Sequence, residues 1–140
     1  MKEKKQNVIT VLVIDDDDRV RTLLTDIIRF AGHRAIEACD GHSGMRYLEE
    51  GGFDIVLTDL GMPGTNGWEV ARYAKQKTPQ TPVILITGWG LEVDESKIRE
   101  SGVDLVIGKP FQIQDVIRAV NRFVSTRQSG PTNYQISEWQ

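Results

Sequence analysis

Short runs of apolar, often β-branched residues alternate along the chain with longer segments in which apolar residues recur at helical spacing. The first run, Val8–Ile14, lacks strict alternation, which is typical of a strand covered on both faces. The apolar residues after it recur at intervals of three and four, which predicts a helix capped by Asp18 and ended by Gly32. The pattern then repeats, giving strands at 8–14, 33–38, 53–59, 82–87 and 103–107, and helices at 20–31, 41–50, 68–77, 91–101 and 113–124.

Five consecutive strand–helix pairs favour an α/β fold in which helices cover both faces of a doubly wound parallel sheet. The second strand mixes charged with apolar residues, so we expect it at an edge of the sheet. We predict one domain over 8–125, preceded by an extension at 1–7 and followed by a polar tail or linker at 126–140. Such a tail is too short for a DNA-binding domain, so the sequence predicts no direct contact with nucleic acid.

Composition narrows the class of protein. The chain has 140 residues, of which 39% are hydrophobic and 26% are charged, as in an ordinary globular domain. Its formal net charge of -3 gives no sign of the basic surface that binds nucleic acid. Apolar runs such as Val83–Ile86 are far shorter than the ~20 residues that span a bilayer, and no apolar segment of a secretory signal follows Met1. The single cysteine, Cys39, has no internal disulfide partner and is expected to be a small buried side chain. Together these features predict a cytoplasmic protein that does not contact membranes.

Polar residues stand where the predicted strands end. Asp15 and Asp16 follow the first strand, Asp59 ends the third, Thr87 ends the fourth, and Lys109 follows the fifth. The carboxyl ends of parallel strands form one rim, where doubly wound sheets bind their ligands. Converging carboxylates repel one another unless a cation neutralises them, and oxygen ligands with an open shell suit Mg²⁺. A carboxylate, a cation and a hydroxyl in one place could transfer a phosphoryl group.

These residues lie in motifs that resemble the CheY-like receiver domains of bacterial two-component response regulators. The resemblance covers Val8 to Val124 and implies a three-layer, five-stranded flavodoxin-like sheet with the order 2-1-3-4-5 and five helices. The matching motifs are Val11-Leu12-Val13-Ile14-Asp15-Asp16-Asp17, Thr58-Asp59-Leu60-Gly61-Met62-Pro63 with Gly67, Ile86-Thr87-Gly88, and Gly108-Lys109-Pro110-Phe111.

The resemblance implies a role for each acid of the rim. Asp59 is similar to the phospho-acceptor, which takes its phosphoryl group from a sensor histidine kinase or a histidine phosphotransfer protein. Asp16 resembles the direct carboxylate ligand of Mg²⁺, and Asp15 the acid that acts largely through a water on the ion. The backbone carbonyl of Gly61 matches the remaining protein ligand.

The same resemblance implies how the phosphoryl group is held. Thr87 is similar to the hydroxyl that turns toward a phosphoryl oxygen, and Lys109 to the cation beside it. Gly88 leaves the group approachable, and the Lys109–Pro110 peptide is expected to be cis. The family is implied to act as a signalling switch rather than an enzyme, through the loop, fourth helix, fifth strand and fifth helix.

Two departures affect what the resemblance implies. Val106 stands three residues before the lysine, where the family commonly has Tyr or Phe, so output is expected to depend on the loop and fourth helix. The thin apolar face of that helix favours a loosely held, inducible docking surface. The resemblance implies that the positions of Trp89 and Gly61 flank the path of hydrolytic water, and we predict that Trp89 shields the acyl phosphate while Gly61 opens the opposite side.

Two other functions stay open from the sequence. Asp15-Asp16-Asp17 contains the Asp-x-Asp pattern of haloacid-dehalogenase-like phosphatases, although the later acidic pair and a cap are missing. A pseudo-receiver that binds partners without phosphorylation is the second, supported by Val106 alone. The sequence names neither the kinase nor the effector, and it leaves open a phosphorylation-dependent homodimer. It equally leaves open a stand-alone receiver or one cut from a longer regulator or hybrid kinase.

Overall fold

Strands and helices alternate from the first strand to the last helix. In the computed structural model, which describes residues 7–88 and 93–129, five strands each precede a helix. The strands are β1 (Thr10–Ile14), β2 (Arg34–Ala38), β3 (Ile55–Asp59), β4 (Val83–Thr87) and β5 (Leu105–Gly108). The helices are α1 (Asp18–Phe30), α2 (Gly41–Glu50), α3 (Gly67–Lys77), α4 (Glu95–Ser101) and α5 (Ile113–Ser129).

The strands form one parallel sheet in the order β2-β1-β3-β4-β5. This order confirms the predicted doubly wound fold, and β2 lies at an edge as its charged residues indicated. The strand order reverses between β1 and β3, so Asp59 ends a strand at the switch point where such sheets bind ligands. In the register, Thr87 lies opposite Gly108, which brings the ends of β4 and β5 level.

The strands are covered on both faces, and each face has its own apolar core. Val11 and Val13 of β1 belong to the cluster packed against α1 and α5, whereas Leu12 and Ile14 belong to the cluster against α2, α3 and α4. Successive residues of a strand point to opposite faces, so one continuous apolar run supplies both clusters. Trp68 of α3 is buried in the second cluster.

The first helix begins one residue earlier than its predicted cap would place it. Asp17 is the N-cap, because its side chain accepts hydrogen bonds from the backbone N–H groups of Arg19 and Val20. Asp18, the predicted cap, is the first helical residue instead. The prediction was wrong because adjacent aspartates have the same capping chemistry, and the choice between them depends on the backbone angles where β1 ends.

The fourth helix is shorter than the predicted 91–101. It begins at Glu95, after the N-cap Asp94, whose side chain accepts from the N–H of Ser96. Gly102 ends it in the left-handed conformation, with φ of 82°. Ile98 is the buried apolar residue of this helix, and Leu91, the first residue of the predicted span, lies outside the described residues.

Cys39 was predicted to be buried, and this prediction is wrong. The side chain is exposed, because it follows the last residue of the edge strand β2, where no further strand can cover it.

His42 is exposed, whereas His33 is half-buried and its Nδ1 accepts a hydrogen bond of 3.3 Å from the N–H of Ile9. Within the ranges given above, no helix has the length and apolar character needed to cross a bilayer.

Candidate functional site

Four strand ends meet at one rim of the sheet. Asp15 follows β1, Asp59 is the last residue of β3, Thr87 is the last residue of β4, and Lys109 follows β5. The N–H of Lys109 donates a 2.8 Å hydrogen bond to the carbonyl of Thr87, which joins the last two ends directly. The structure therefore brings together side chains that lie up to ninety-four residues apart in the sequence (15 to 109).

The Lys109 ammonium lies between two of these acids. Its Nζ is 3.2 Å from Oδ1 of Asp59, with which it shares a hydrogen bond, and 3.9 Å from Oδ2 of Asp15. The Asp15 side chain is fully buried and that of Asp59 is 7% exposed, while that of Lys109 is 24% exposed. Ion pairs with so little access to water are screened weakly by salt, so added salt should weaken the attraction between Lys109 and these acids only slightly.

Three carboxylates converge beside this ammonium. One oxygen from each of Asp15, Asp16 and Asp59 lies within 4.8 Å of the others. Oδ1 of Asp15 accepts a 2.8 Å hydrogen bond from the N–H of Asp17, but Oδ2 is buried without any hydrogen-bond partner among the described residues. A buried carboxylate oxygen without a donor is costly, and a divalent cation coordinated by oxygen would satisfy it. The residues present therefore fit a magnesium ion.

The acids of the cluster are harder to ionise than ordinary aspartates. Burial, together with the smaller effect of the Asp59 charge, raises the pKa of Asp15 from 3.8 to about 6, against the lowering effect of the Asp17 N–H. Burial also raises the pKa of Asp59, while the ammonium of Lys109 lowers it. Positive charge in the cluster therefore favours the ionised form of both acids.

Close packing fixes the backbone at Asp59. Leu60 donates its N–H to the carbonyl of Ile86, and Gly67 donates its N–H to the carbonyl of Leu60. A Cβ atom on Gly67 would lie 2.5 Å from the carbonyl oxygen of Asp59, so only glycine lets α3 begin this close to the strand. Gly61, the predicted source of a carbonyl ligand, is exposed in the loop that this contact closes.

The remaining predicted residues lie around the same rim, with one outside the described part. Thr87 is buried with 4% of its surface exposed, Gly88 is half-buried beside it, and the Lys109–Pro110 peptide is cis. Val106 points into the apolar cluster under α3 and α4 and is 3% exposed. Trp89, the predicted shield of the acyl phosphate, lies outside the described residues.

Comparison with known proteins identifies the family. Residues 11–121 match the family described as the response regulator receiver domain. The chain belongs to this family. As a receiver domain it is a signalling module of two-component systems, as the resemblance implied.

Its relatives include full-length transcriptional regulators. The receiver domain is 37% identical over 116 residues to the transcriptional regulatory protein AfsQ1 of Streptomyces coelicolor, covering 81% of this chain and 51% of AfsQ1. It is 35% identical over 124 residues to ResD of Bacillus subtilis, covering 89% of this chain and 50% of ResD. The chain thus spans about half the length of these curated relatives.

Solved structures agree with the fold. A response regulator receiver domain protein from Clostridium thermocellum is 27% identical and superposes with a TM-score of 0.79, covering 87% of this chain and 98% of that one. A CheY-like receiver domain protein from Methanospirillum hungatei superposes with a TM-score of 0.81 over 89% of this chain and all of that one. Its 22% identity supports the fold alone.

Sequence reasoning missed one residue that contacts the site. Arg21 of α1 donates from Nη1 to the backbone carbonyl of Asp15 at 2.8 Å. It also pairs with Asp18 on its own helix, where a spacing of three brings side chains together. That spacing was the available signal, but it gives no indication that the guanidinium reaches the end of β1.

Proposed function

We propose that this receiver domain accepts a phosphoryl group on Asp59 from the phosphohistidine of a sensor histidine kinase or a histidine phosphotransfer protein. The observation that carries the proposal is the position of the Asp59 carboxylate, 3.2 Å from the Lys109 ammonium and within the cluster formed with Asp15 and Asp16. A nucleophilic carboxylate, a neighbouring cation and a set of ligands for a second cation are the groups that phosphoryl transfer to an aspartate requires.

The domain would hold Mg²⁺ through the carboxylates of Asp15, Asp16 and Asp59 and the backbone carbonyl of Gly61. The buried, unpartnered Oδ2 of Asp15 supports this assignment, because it has no hydrogen-bond donor among the described residues. When bound, the ion neutralises the acids and the phosphoryl oxygens, so that two groups of like charge can approach. The Lys109 ammonium supplies positive charge on the other side of Asp59.

The transfer is a single displacement at phosphorus. A carboxylate oxygen of Asp59 forms a bond to phosphorus while the bond from phosphorus to the donor's histidine nitrogen breaks. The imidazole keeps the electron pair of that bond. Lys109 binds one phosphoryl oxygen and the Thr87 hydroxyl binds another, because both stand at the strand ends beside Asp59. The product is an acyl phosphate on Asp59.

Phosphorylation would then change the surface formed by α4, β5, α5 and the loop before α4. Lys109 exchanges its carboxylate partner for a phosphoryl oxygen, and Thr87 turns toward the same group. Val106 has no ring or hydroxyl with which to report this change, so we assign the output to the loop and α4. The effector and a phosphorylation-dependent homodimer are the partners of this surface, and the module acts in the cytoplasm as a switch rather than as an enzyme.

The experiment is incubation of the full chain with acetyl phosphate and Mg²⁺, followed by intact-mass measurement. We expect one added phosphoryl group on the wild type and on Asp26→Asn, which removes an exposed carboxylate from α1. Asp59→Asn should add none, and chelation of Mg²⁺ should suppress the addition. An unmodified wild type, or equal modification of Asp59→Asn, would overturn the proposal.

A further inference from the structure

The guanidinium of Arg21 connects three parts of the rim. Nη1 donates to the backbone carbonyl of Asp15 at 2.8 Å, Nε donates to Oε1 of Glu37 at 3.1 Å, and Nη2 donates to Oδ1 of Asp18 at 2.7 Å. The side chain of Arg21 is 14% exposed, so it reaches these partners from under the surface. One side chain of α1 therefore joins the end of β1 to the edge strand β2.

The three contacts are not equivalent. Asp18 is 86% exposed, and an ion pair so open to water contributes little. Glu37 is 38% exposed and lies on β2, so it orients the guanidinium from the neighbouring strand. The carbonyl of Asp15 is the contact that belongs to the cation site. Because it is a backbone oxygen, the contact occupies no carboxylate oxygen of the cluster.

The Asp15 carbonyl determines where Asp16 lies. A carbonyl and the next amide form one planar unit, so holding the Asp15 oxygen fixes the peptide that leads into Asp16. The N–H of Asp15 is also held, by a 3.2 Å hydrogen bond to the carbonyl of Ala38. The exposed side chain of Asp16 makes no hydrogen bond or ion pair of its own within the described ranges. Its approach to Asp15 and Asp59 depends on the backbone.

We propose that Arg21 is a positioning residue for the cation site, with Glu37 as the residue that orients it. Arg21 holds the Asp15–Asp16 peptide so that both carboxylates face Asp59. This inference rests on the proposed function, because it presumes that the cluster binds Mg²⁺. Residues that orient metal ligands without touching the metal typically change affinity by about 10-fold to 100-fold when they are removed.

The chain offers a matched control on the same helix. Arg29 donates from Nη2 to the carbonyl of Ala35 in β2 at 3.0 Å, which is again a contact from α1 to a backbone carbonyl but without a link to the acids. Replacing either arginine by methionine removes a contact from a helix side chain to a backbone carbonyl, and Arg21→Met also removes the contacts with Asp18 and Glu37. Only Arg21→Met removes the contact that holds Asp15.

The test is a Mg²⁺ titration of the full chain followed by amide NMR shifts, with the free energy of unfolding measured separately without divalent ions. We expect Arg21→Met to raise the Kd for Mg²⁺ about 10-fold, and Arg29→Met to leave it within about 2-fold even where both lose stability. A merely structural role for Arg21 would lower stability without this selective change in Kd. Equal Kd values for the two variants would overturn the proposal.

Glu37→Ala keeps Arg21 and the helix, so it tests the same claim if Arg21→Met does not fold. We expect a severalfold rise in Kd, and an unchanged Kd would contradict the proposal. Asp16→Asn separates this inference from the proposed function. If the wild type binds Mg²⁺ and Asp16→Asn does not, an unchanged Kd in Glu37→Ala refutes the role of Arg21 alone. If the wild type binds no Mg²⁺, the proposed function fails first.

Discussion

Asp15 illustrates at the scale of one residue how a cation site conflicts with stability. Its carboxylate is fully buried, one oxygen has no donor among the described residues, and two more acids lie beside it. The ammonium of Lys109 is 3.9 Å from that oxygen, too far for a hydrogen bond. Folding without a divalent ion therefore retains a buried charge whose partners are incomplete, and this cost is visible in the pKa of about 6.

We predict that Asp15→Asn stabilises the domain at pH 7 when divalent ions are absent. The folded pKa of about 6 lies above the ordinary 3.8, so the stability from protonated Asp15 is fully present below pH 3.8 and is lost as the pH rises through about 6. Asparagine can still accept from the Asp17 N–H. A shift of one pKa unit corresponds to about 1.4 kcal/mol, and water at the open side of the cluster reduces the effect, so we expect a gain of about 1 to 2 kcal/mol.

Urea unfolding from pH 4 to pH 7 measures this difference. The gain should disappear toward pH 4, and the exposed control Asp26→Asn should show no such pH dependence. A loss of stability in Asp15→Asn at pH 7 without divalent ions would contradict the assigned cost of the buried carboxylate.

Lys109 supplies the second prediction at this scale. Removing its ammonium leaves Asp59 beside the carboxylates of Asp15 and Asp16 without this cation, so Lys109→Met should raise the pKa of Asp59 above its already raised value. Carboxyl-carbon NMR titration measures this directly. Lys77→Met, which removes an exposed cation at the end of α3, should leave the titration of Asp59 unchanged. A lower or equal pKa of Asp59 in Lys109→Met would refute the contact.

Residue types at the rim could be predicted from the sequence, but contacts between elements could not. The acids and the lysine were found because each follows an apolar run, and parallel strands end at one edge. Arg21 was missed because its position depends on Glu37, which only the pairing of β1 with β2 brings close. Cys39 was misplaced for the same reason, since exposure at the end of an edge strand depends on neighbours that a local pattern does not show.

At the scale of elements, the start of α3 is the feature that fixes Asp59. The helix begins with a capping box, in which Asn66 accepts from the N–H of Glu69, and Glu69 accepts from the N–H of Asn66. Its first residue, Gly67, lies against the backbone at Asp59 and Leu60. Helix and strand are therefore in contact at the position of the proposed phospho-acceptor.

We predict that Gly67→Ala destabilises the domain and weakens Mg²⁺ binding together. The added Cβ would meet the Asp59 oxygen at 2.5 Å and Cα of Leu60 at 2.9 Å, and both are backbone atoms that cannot rotate away. Overpacking of this kind costs about 1 to 3 kcal/mol. Gly108→Ala is the control, since its Cβ would meet nothing within 4 Å, and its free energy of unfolding should change by less than about 0.5 kcal/mol.

Urea unfolding and Mg²⁺ titration of both glycine variants provide the measurement. If Gly67→Ala were as stable as the wild type and bound Mg²⁺ equally well, the close approach of α3 to Asp59 would not be required.

The start of helix α4 is the boundary that the sequence predicted least well. Its thin apolar face gave a weak pattern, and the structure shortens it to Glu95–Ser101, because a capping aspartate decides its start.

At the scale of the whole molecule, the arrangement follows from two simple patterns. Strands buried on both faces need helices on both faces, and right-handed crossovers then leave few possible orders. The sheet, its two cores and the shared rim could therefore be predicted from apolar periodicity together with the family resemblance. Which side chains pair across the rim could not, because those distances depend on register and on packing of α1 and α3.

The surface formed by α4, β5, α5 and the loop before α4 is the one that we propose responds to phosphorylation. The chain spans about half of AfsQ1 and ResD, which are named as transcriptional regulatory proteins. In β5, the side chain at position 106 is an apolar valine that is buried in the second core cluster. We therefore expect the response to phosphorylation in α4 and the loop before it.

The most direct test of the central claim is to locate the phosphoryl group after reaction with acetyl phosphate and Mg²⁺. Borohydride reduces an acyl phosphate to an alcohol, so peptide mapping by mass spectrometry identifies the aspartate that carried the phosphoryl group. We predict a single reduced residue, Asp59, in the wild type. Reduction at Asp15, the first acid of the Asp-x-Asp pattern, would instead indicate the phosphatase-like alternative, and an absence of reduction at Asp59 would contradict the account.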